Sequence, residues 1–153
     1  LAKNYRMTNL QAAVGVAQLK NIKKLVKIKR ENAKKYTNLL KNIEGLQLPV
    51  EKAWAKNVYW LYSIIVGNEY GISRDELMRE LSLMDIDTRP FFPPVHTQPI
   101  YNTGENLAVC QDLALRGLSL PSSSGLQNHE VDWVCYAIRD IQKKIKSKIA
   151  LKN

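Results

Sequence analysis

The chain has 153 residues, is 45% hydrophobic and carries a formal net charge of +9. This length allows one core of moderate size, no apolar run is long enough to cross a bilayer, and no signal-peptide pattern opens the sequence. We therefore expect a cytoplasmic globular protein without a membrane partner. Because the sequence begins at Leu1 inside an apparent motif, we also expect it to be part of a longer polypeptide.

Two basic segments hold the whole positive excess. Residues 20–42 contain nine Lys or Arg and one acid, Glu31, and residues 141–153 contain five Lys and no acid. Basic helices can bind nucleic acid, but a lysine-rich solvated face has the same composition. We interpret both segments as solvated helical faces and do not expect nucleic acid as a partner. A non-enzymatic basic helical module that binds nucleic acid or a partner protein is the alternative hypothesis.

Residues 1–45 predict two helices in succession. Thr8 and Gln11 form a capping box that opens an apolar helix at residues 10–19, whose exposed face we expect to cause dimerisation or aggregation. A second helix at residues 22–43 has apolar positions at spacings of three, four and seven. Gly45 ends this second helix.

The rest of the chain predicts a small sheet. Residues 46–50 can form only a short edge strand because of Pro49, whereas residues 58–66 are almost entirely apolar or aromatic and predict a strand covered on both faces. The other predicted elements are strands at 86–89 and 118–120 and helices at 73–84, 105–115 and 128–148. This order predicts an α+β fold in which a small, mainly antiparallel sheet is backed by helices and preceded by a long helical segment.

Residues 89–101, Arg-Pro-Phe-Phe-Pro-Pro-Val-His-Thr-Gln-Pro-Ile-Tyr, form a proline loop with a composition typical of a pocket wall. Its four prolines exclude an α-helix and disfavour an interior strand. A stiff loop that carries aromatic and polar side chains suits a small-molecule site. The alternative is a connector whose Phe91 and Phe92 only cap the core.

The residues alone indicate no complete catalytic apparatus. The sequence has no Gly-rich phosphate loop, Walker pattern or GxSxG motif. No second histidine or cysteine lies near His96 or His129 in sequence, so neither suggests a metal site. Cys110 and Cys135 lie singly in helical patterns, so we expect both to be buried free thiols.

Residues 4–19, Asn-Tyr-Arg-Met-Thr-Asn-Leu-Gln-Ala-Ala-Val-Gly-Val-Ala-Gln-Leu, resemble a signature of the DegT/DnrJ/StrS sugar aminotransferases. These are fold-type-I enzymes that depend on pyridoxal phosphate. The resemblance continues at residues 30–36, 45–49, 59–62, 74–77 and 116–122. Within the family, residues 88–101 look most like the perosamine-synthase branch, whose members aminate a nucleotide-linked 4-keto-6-deoxyhexose.

The resemblance places the chain in the C-terminal part of such an enzyme. It implies that residues 1–43 link an absent large domain to the small domain and form dimer contacts, and that residues 44–153 form the small domain. It also implies pyridoxal phosphate as cofactor, glutamate and a nucleotide sugar as substrates, and a homodimer with its active site at the subunit interface. The family's cofactor-binding lysine belongs to the large domain, so we expect no transamination by this chain alone. Relatives that carry histidine instead remove a hydroxyl group, and the sequence leaves that alternative open.

The resemblance implies a cofactor contact for Asn4 and a charged contact for Arg89. Asn4 matches an asparagine whose amide can donate to the cofactor phosphate of the neighbouring subunit. Its alternative role is that of a turn residue before Thr8. Arg89 could pair with the diphosphate or with the carboxylate of glutamate, because its planar guanidinium suits both. A structural ion pair is the alternative for Arg89.

The other four implied site residues belong to the proline loop. His96 and Tyr101 could hydrogen-bond to sugar hydroxyls or to the nucleotide. Phe91 and Phe92 would pack around the hexose or the base, and we expect one of these two phenylalanines to belong to the core.

Overall fold

The computed structural model describes residues 6–101 and 104–151. Its helices and strands, in chain order, are α1 (Asn9–Leu40), β1 (Leu46–Gln47), β2 (Tyr62–Val66), α2 (Arg74–Ser82), β3 (Arg89–Pro90), α3 (Ala108–Arg116), β4 (Gly117–Leu120) and α4 (Asn128–Ala150). Short 3-10 helices occur at Asn68–Tyr70, Val95–Thr97 and Pro99–Tyr101. The predicted α+β class is confirmed.

Helix α1 is one continuous helix, so the prediction of two helices is wrong. Residues 20 and 21 are Lys and Asn, and neither interrupts the backbone hydrogen bonds as proline would. The predicted capping box is present at its start: the Gln11 amide donates to Thr8 Oγ1 over 3.3 Å, and the Thr8 amide donates to Gln11 Oε1 over 2.9 Å. A good cap at one end and no breaker inside give 32 helical residues.

Helix α1 ends at Leu40, so the prediction that Gly45 ends it is wrong. Gly45 has a different structural role. Gly45 has a φ of +76°, and a Cβ added to it would lie 2.0 Å from the Tyr70 backbone nitrogen. Only glycine tolerates both the left-handed conformation and this close approach. Gly45 therefore shapes the turn into β1 instead of capping α1.

The four strands form one antiparallel sheet in the order β1-β2-β4-β3. In the central pair, Tyr62 lies opposite Leu120 and Ile64 opposite Leu118. Strand β2 begins at Tyr62 and not at residue 58 as predicted, because Tyr59 has a φ of +48° and interrupts the extended backbone. The strand predicted at 86–89 is also displaced and pairs only at Arg89–Pro90.

The core lies between the sheet and three helices. Its fully buried members come from the second half of α1, from α2, α4, the two central strands and one 3-10 helix: Tyr36, Leu40, Ile64, Tyr70, Leu77, Leu81, Leu118, Val131 and Ile138. The Tyr36 ring stacks on Tyr62 with 4.8 Å between centroids, and its hydroxyl donates to the Pro121 carbonyl over 2.9 Å. Burial raises the pKa of Tyr62 to about 12, so the phenol stays neutral at ordinary pH.

Both cysteines are predicted to be buried, but in the structure only Cys135 is buried. Burial raises the pKa of its thiol to about 12, which keeps it protonated and unreactive. Cys110 is exposed, because it belongs to α3, a helix with no buried residue.

The first half of α1 extends away from the core. Among its described residues the first buried one is Asn32, and Leu10, Val14 and Leu19 are 77%, 56% and 67% exposed. This apolar surface has no covering element within residues 6–101 and 104–151. The described helices include none long and apolar enough to cross a membrane.

Candidate functional site

The proline loop is fixed to the sheet edge through Phe91. The Phe91 amide donates to the Gly117 carbonyl over 3.2 Å, and a Cβ on Gly117 would lie 2.2 Å from the Phe91 ring. Because only glycine leaves room for the ring, this contact seats the half-buried Phe91 against β4. Phe91 is thus the phenylalanine that anchors the loop.

Phe92 points to the surface and stacks on Trp60. The two ring centroids are 6.5 Å apart and the ring planes differ by 18°. Phe92 is 74% exposed and Trp60 is 68% exposed, so most of both rings remains open to solvent. Such an aromatic surface can stack against a planar base or against the apolar face of a sugar.

Trp60 is a candidate site residue that the sequence did not reveal. Its backbone is held by Lys29, whose ammonium donates to the Trp60 carbonyl over 3.0 Å and to the Ser122 carbonyl. The preceding residue, Tyr59, adopts the left-handed conformation and donates its amide to Asn57 Oδ1 over 2.8 Å. A tryptophan inside an apolar run is expected to be buried, and only Asn57, a residue type that favours turns, signalled the break.

His96 and Tyr101 lie on two consecutive 3-10 helices of the loop. The half-buried His96 ring places Nε2 3.1 Å from the Gln111 side-chain nitrogen, so α3 orients the imidazole. Tyr101 is 55% exposed, and its amide donates to the Gln98 carbonyl over 2.9 Å. The loop therefore keeps one oriented imidazole and one accessible phenol close together in the chain.

Arg89 lies on the edge strand β3 and forms an ion pair with Asp87 over 3.0 Å. Both side chains are more than three-quarters exposed, so the pair contributes little to stability. The guanidinium can exchange this partner for an anionic ligand at small cost. Asn4, the predicted cofactor contact, lies outside the described residues.

The long helix followed by a small antiparallel sheet is the architecture of the small domain of fold-type-I sugar aminotransferases. The solved structure of DesV from S. venezuelae matches with a TM-score of 0.81 and 29% identity, over 90% of this chain and 37% of DesV. The DegT/DnrJ/EryC1/StrS aminotransferase family matches residues 1–139, and this chain belongs to that family.

Two curated relatives carry a more specific name. The chain is 41% identical over 143 residues to the GDP-perosamine synthase of Vibrio cholerae and 39% identical over 139 residues to that of Escherichia coli O157:H7. The matches cover 92% and 90% of this chain but only 39% and 37% of the two relatives. They include the basic part of α1, so the alternative of a non-enzymatic basic module is not favoured.

Chemistry with pyridoxal phosphate requires a lysine whose amine is free to react. Lys29 is the lysine whose pKa is lowered by burial, but its ammonium is bound to two backbone carbonyls. Lys29 therefore has a structural role.

Proposed function

We propose that this chain is the C-terminal portion of a pyridoxal-phosphate-dependent enzyme that transfers an amino group from glutamate to a nucleotide-linked 4-keto-6-deoxy sugar. The observation that carries this proposal is the 41% identity to a GDP-perosamine synthase across 92% of the chain. Under this proposal, residues 1–43 connect to a large domain and form dimer contacts, and residues 44–153 are the small domain. The enzyme would be a cytoplasmic homodimer that supplies cell-surface polysaccharide, such as the O-antigen of lipopolysaccharide.

In this proposal the chain supplies binding surface and not the reacting lysine. Trp60 and Phe92 offer exposed rings to the substrate. Arg89 attracts a diphosphate or carboxylate, and His96 and Tyr101 hydrogen-bond to sugar or nucleotide. Asn4 is assigned to the cofactor phosphate of the neighbouring subunit by resemblance alone. The cofactor and its lysine would be supplied by polypeptide outside the described residues.

A chimera tests the proposal. This chain would replace the matching 39% of the V. cholerae relative, which retains its own large domain. We expect the chimera to convert a GDP-linked 4-keto-6-deoxy sugar to its 4-amino product with glutamate as donor, measured by mass spectrometry of the nucleotide sugar. The chain alone should give no product and no cofactor absorbance.

The outcome against the proposal is equally clear. A chimera that is folded by circular dichroism and shows cofactor absorbance, yet forms no glutamate-dependent amino sugar, would contradict it.

A further inference from the structure

One side chain in the second half of α1, Lys29, joins two distant segments of the chain. Its ammonium donates to the Trp60 carbonyl over 3.0 Å and to the Ser122 carbonyl. Trp60 lies in the turn before β2, and Ser122 lies just after β4. Lys29 is half-buried, and within residues 6–101 and 104–151 no carboxylate forms an ion pair with it. Its charge is therefore directed at backbone carbonyls.

Arg30, the next residue of α1, holds the start of the same turn. Its guanidinium donates to the Asn57 carbonyl and, over 2.8 and 3.2 Å, to the two carboxylate oxygens of Glu51. Glu51 also accepts the Asn57 amide over 3.0 Å, and Asn57 Oδ1 accepts the amide of the left-handed Tyr59 over 2.8 Å. Two consecutive cations of α1 thus hold the two ends of one turn.

The contact with Ser122 fixes this turn relative to the sheet. The Ser122 hydroxyl donates to the Leu120 carbonyl over 3.0 Å and accepts the Tyr62 amide over 3.2 Å. These bonds continue the pairing of β2 with β4, in which Tyr62 lies opposite Leu120. Lys29 therefore ties Trp60 to the end of the central strand pair.

The Trp60 ring itself packs loosely. It is 68% exposed, and its stacking partner Phe92 lies 6.5 Å away between centroids, near the upper end of the range for aromatic pairs. A ring with so little packing is oriented mainly through the backbone that carries it. The carbonyl contact from Lys29 therefore has more influence on this ring than it would have on a buried side chain.

We propose that Lys29 is a positioning residue for ligand binding. It does not touch the ligand, but it holds Trp60 in the orientation in which the ring lies beside Phe92 and can stack on a ligand. The nature of the ligand rests on the proposed function, whereas the hold of Lys29 on Trp60 is argued from geometry alone. Without the ammonium, two carbonyls lose their donor and the turn is released.

The first test measures the motion of Trp60 in the full 153-residue chain. Replacing Trp54 and Trp133 by phenylalanine leaves Trp60 as the only tryptophan, and time-resolved fluorescence anisotropy then reports its motion on the picosecond to nanosecond timescale. Lys29→Met should increase the amplitude of the fast decay about twofold or more. Lys29→Arg keeps donors for both carbonyls and should behave like the parent.

Lys35→Met is the matched control. Lys35 is half-buried on the same helix and donates to the Asn128 carbonyl over 2.7 Å. Its substitution removes the same kind of contact without affecting the turn at Trp60, so the anisotropy decay should not change. Circular dichroism checks that each variant is folded. If Lys29→Met does not fold, Lys29→Gln replaces it with the same expected direction, because it removes the charge but keeps one amide donor.

The second test uses the chimera and asks whether Lys29 acts through Trp60. Lys29→Met should raise the KM for the nucleotide sugar about fivefold and leave kcat within about twofold, because binding is lost equally in the ground state and the transition state. In a Trp60→Ala background the same substitution should raise KM by less than about twofold, since the effects of coupled residues are not additive. Lys35→Met should leave KM within about twofold in both backgrounds.

Three results would overturn the inference. They are an unchanged anisotropy decay in Lys29→Met, equal effects of Lys29→Met and Lys35→Met, and a KM increase that is as large with Trp60→Ala as without it. Each of these leaves the proposed function standing as long as the unsubstituted chimera is active. A folded but inactive parent chimera, together with faster Trp60 motion in Lys29→Met alone, would support the hold of Lys29 on Trp60 and oppose the proposed function.

Discussion

The ring of Trp60 lies 18° from parallel to the ring of Phe92, and both rings are largely exposed. The two residues come from different segments, a turn held by Lys29 and a loop anchored by Phe91. The stacking of the two rings therefore depends on two separate contacts, one that holds the turn at Trp60 and one that holds the proline loop.

Replacing Trp60 by alanine in the chimera should raise the KM for the nucleotide sugar about tenfold, because a stacked base or sugar loses one aromatic partner. Stability should change by less than about 0.5 kcal/mol, because the side chain is exposed. Steady-state kinetics measure the KM, and urea unfolding measures the stability. Trp54→Ala is the matched control, since Trp54 is 86% exposed and stacks on no other aromatic ring of the described residues. Equal effects of the two substitutions would remove Trp60 from the site.

Two glycines should respond oppositely to alanine. Gly45→Ala introduces a Cβ 2.0 Å from a backbone nitrogen at a φ of +76° and should lower the free energy of unfolding by at least about 3 kcal/mol. Gly15 lies inside α1 with no atom within 4 Å of the added Cβ, so Gly15→Ala should raise the free energy of unfolding by about 0.5–1 kcal/mol. Urea unfolding followed by circular dichroism measures both. A loss in the Gly15 variant would mean that α1 is not a regular helix at that point.

Alkaline pH should destabilise the fold through its buried tyrosines. Burial raises the pKa of Tyr62 from 10.0 to about 12, and it raises the pKa values of Tyr36 and Tyr70 as well. Between pH 10 and 12 the unfolded Tyr62 loses its proton while the folded one keeps it. The free energy of unfolding therefore falls as pH rises, by up to about 1.4 kcal/mol per pH unit for each such group.

Tyr62→Phe should make the free energy of unfolding fall less steeply with rising pH, because one buried tyrosine no longer titrates. The variant should also be less stable at neutral pH by about 1 kcal/mol, because the hydrogen bond to Thr37 is lost. Ile64→Val is the control, since it weakens the same strand without removing a titrating group. Unfolding curves at pH 8 to 11 measure the slopes, and an unchanged slope in the Tyr62 variant would contradict the assignment.

The exposed start of α1 should make the chain self-associate. Leu10 and Val14 lie one helical turn apart and are 77% and 56% exposed. Replacing both by lysine should reduce association in sedimentation velocity experiments, because apolar contact area is lost and like charges are added. Leu83→Lys with Leu115→Lys is the control, at positions 77% and 70% exposed elsewhere on the surface. If the control variant dissociates as much, the helix is not the contact.

Local sequence signals predicted the local structure well. The capping box at Thr8 depends on residues three positions apart, and it is present. The class of fold followed from apolar patterning. The prediction that Phe91 or Phe92 belongs to the core is wrong, because Phe91 is half-buried at the sheet edge and Phe92 is exposed. By contrast, the exposure of Trp60 depends on Lys29, and the role of Gly45 depends on Tyr70. These contacts join distant parts of the chain, so no short pattern encodes them. The continuity of α1 does not follow from composition, because the sequence changes from apolar to lysine-rich near residue 20 although no residue there breaks a helix.

The order of strands in the sheet has a consequence for folding kinetics. The central pair joins Tyr62 to Leu120, with α2, β3, the proline loop and α3 between them in sequence. Closing so long a loop costs entropy before any contact compensates for it. Helices α1 and α2 can form from neighbouring residues in the meantime. On the ribosome, β2 must therefore wait for β4 to be synthesised, and during that interval its apolar edge lacks its main partner.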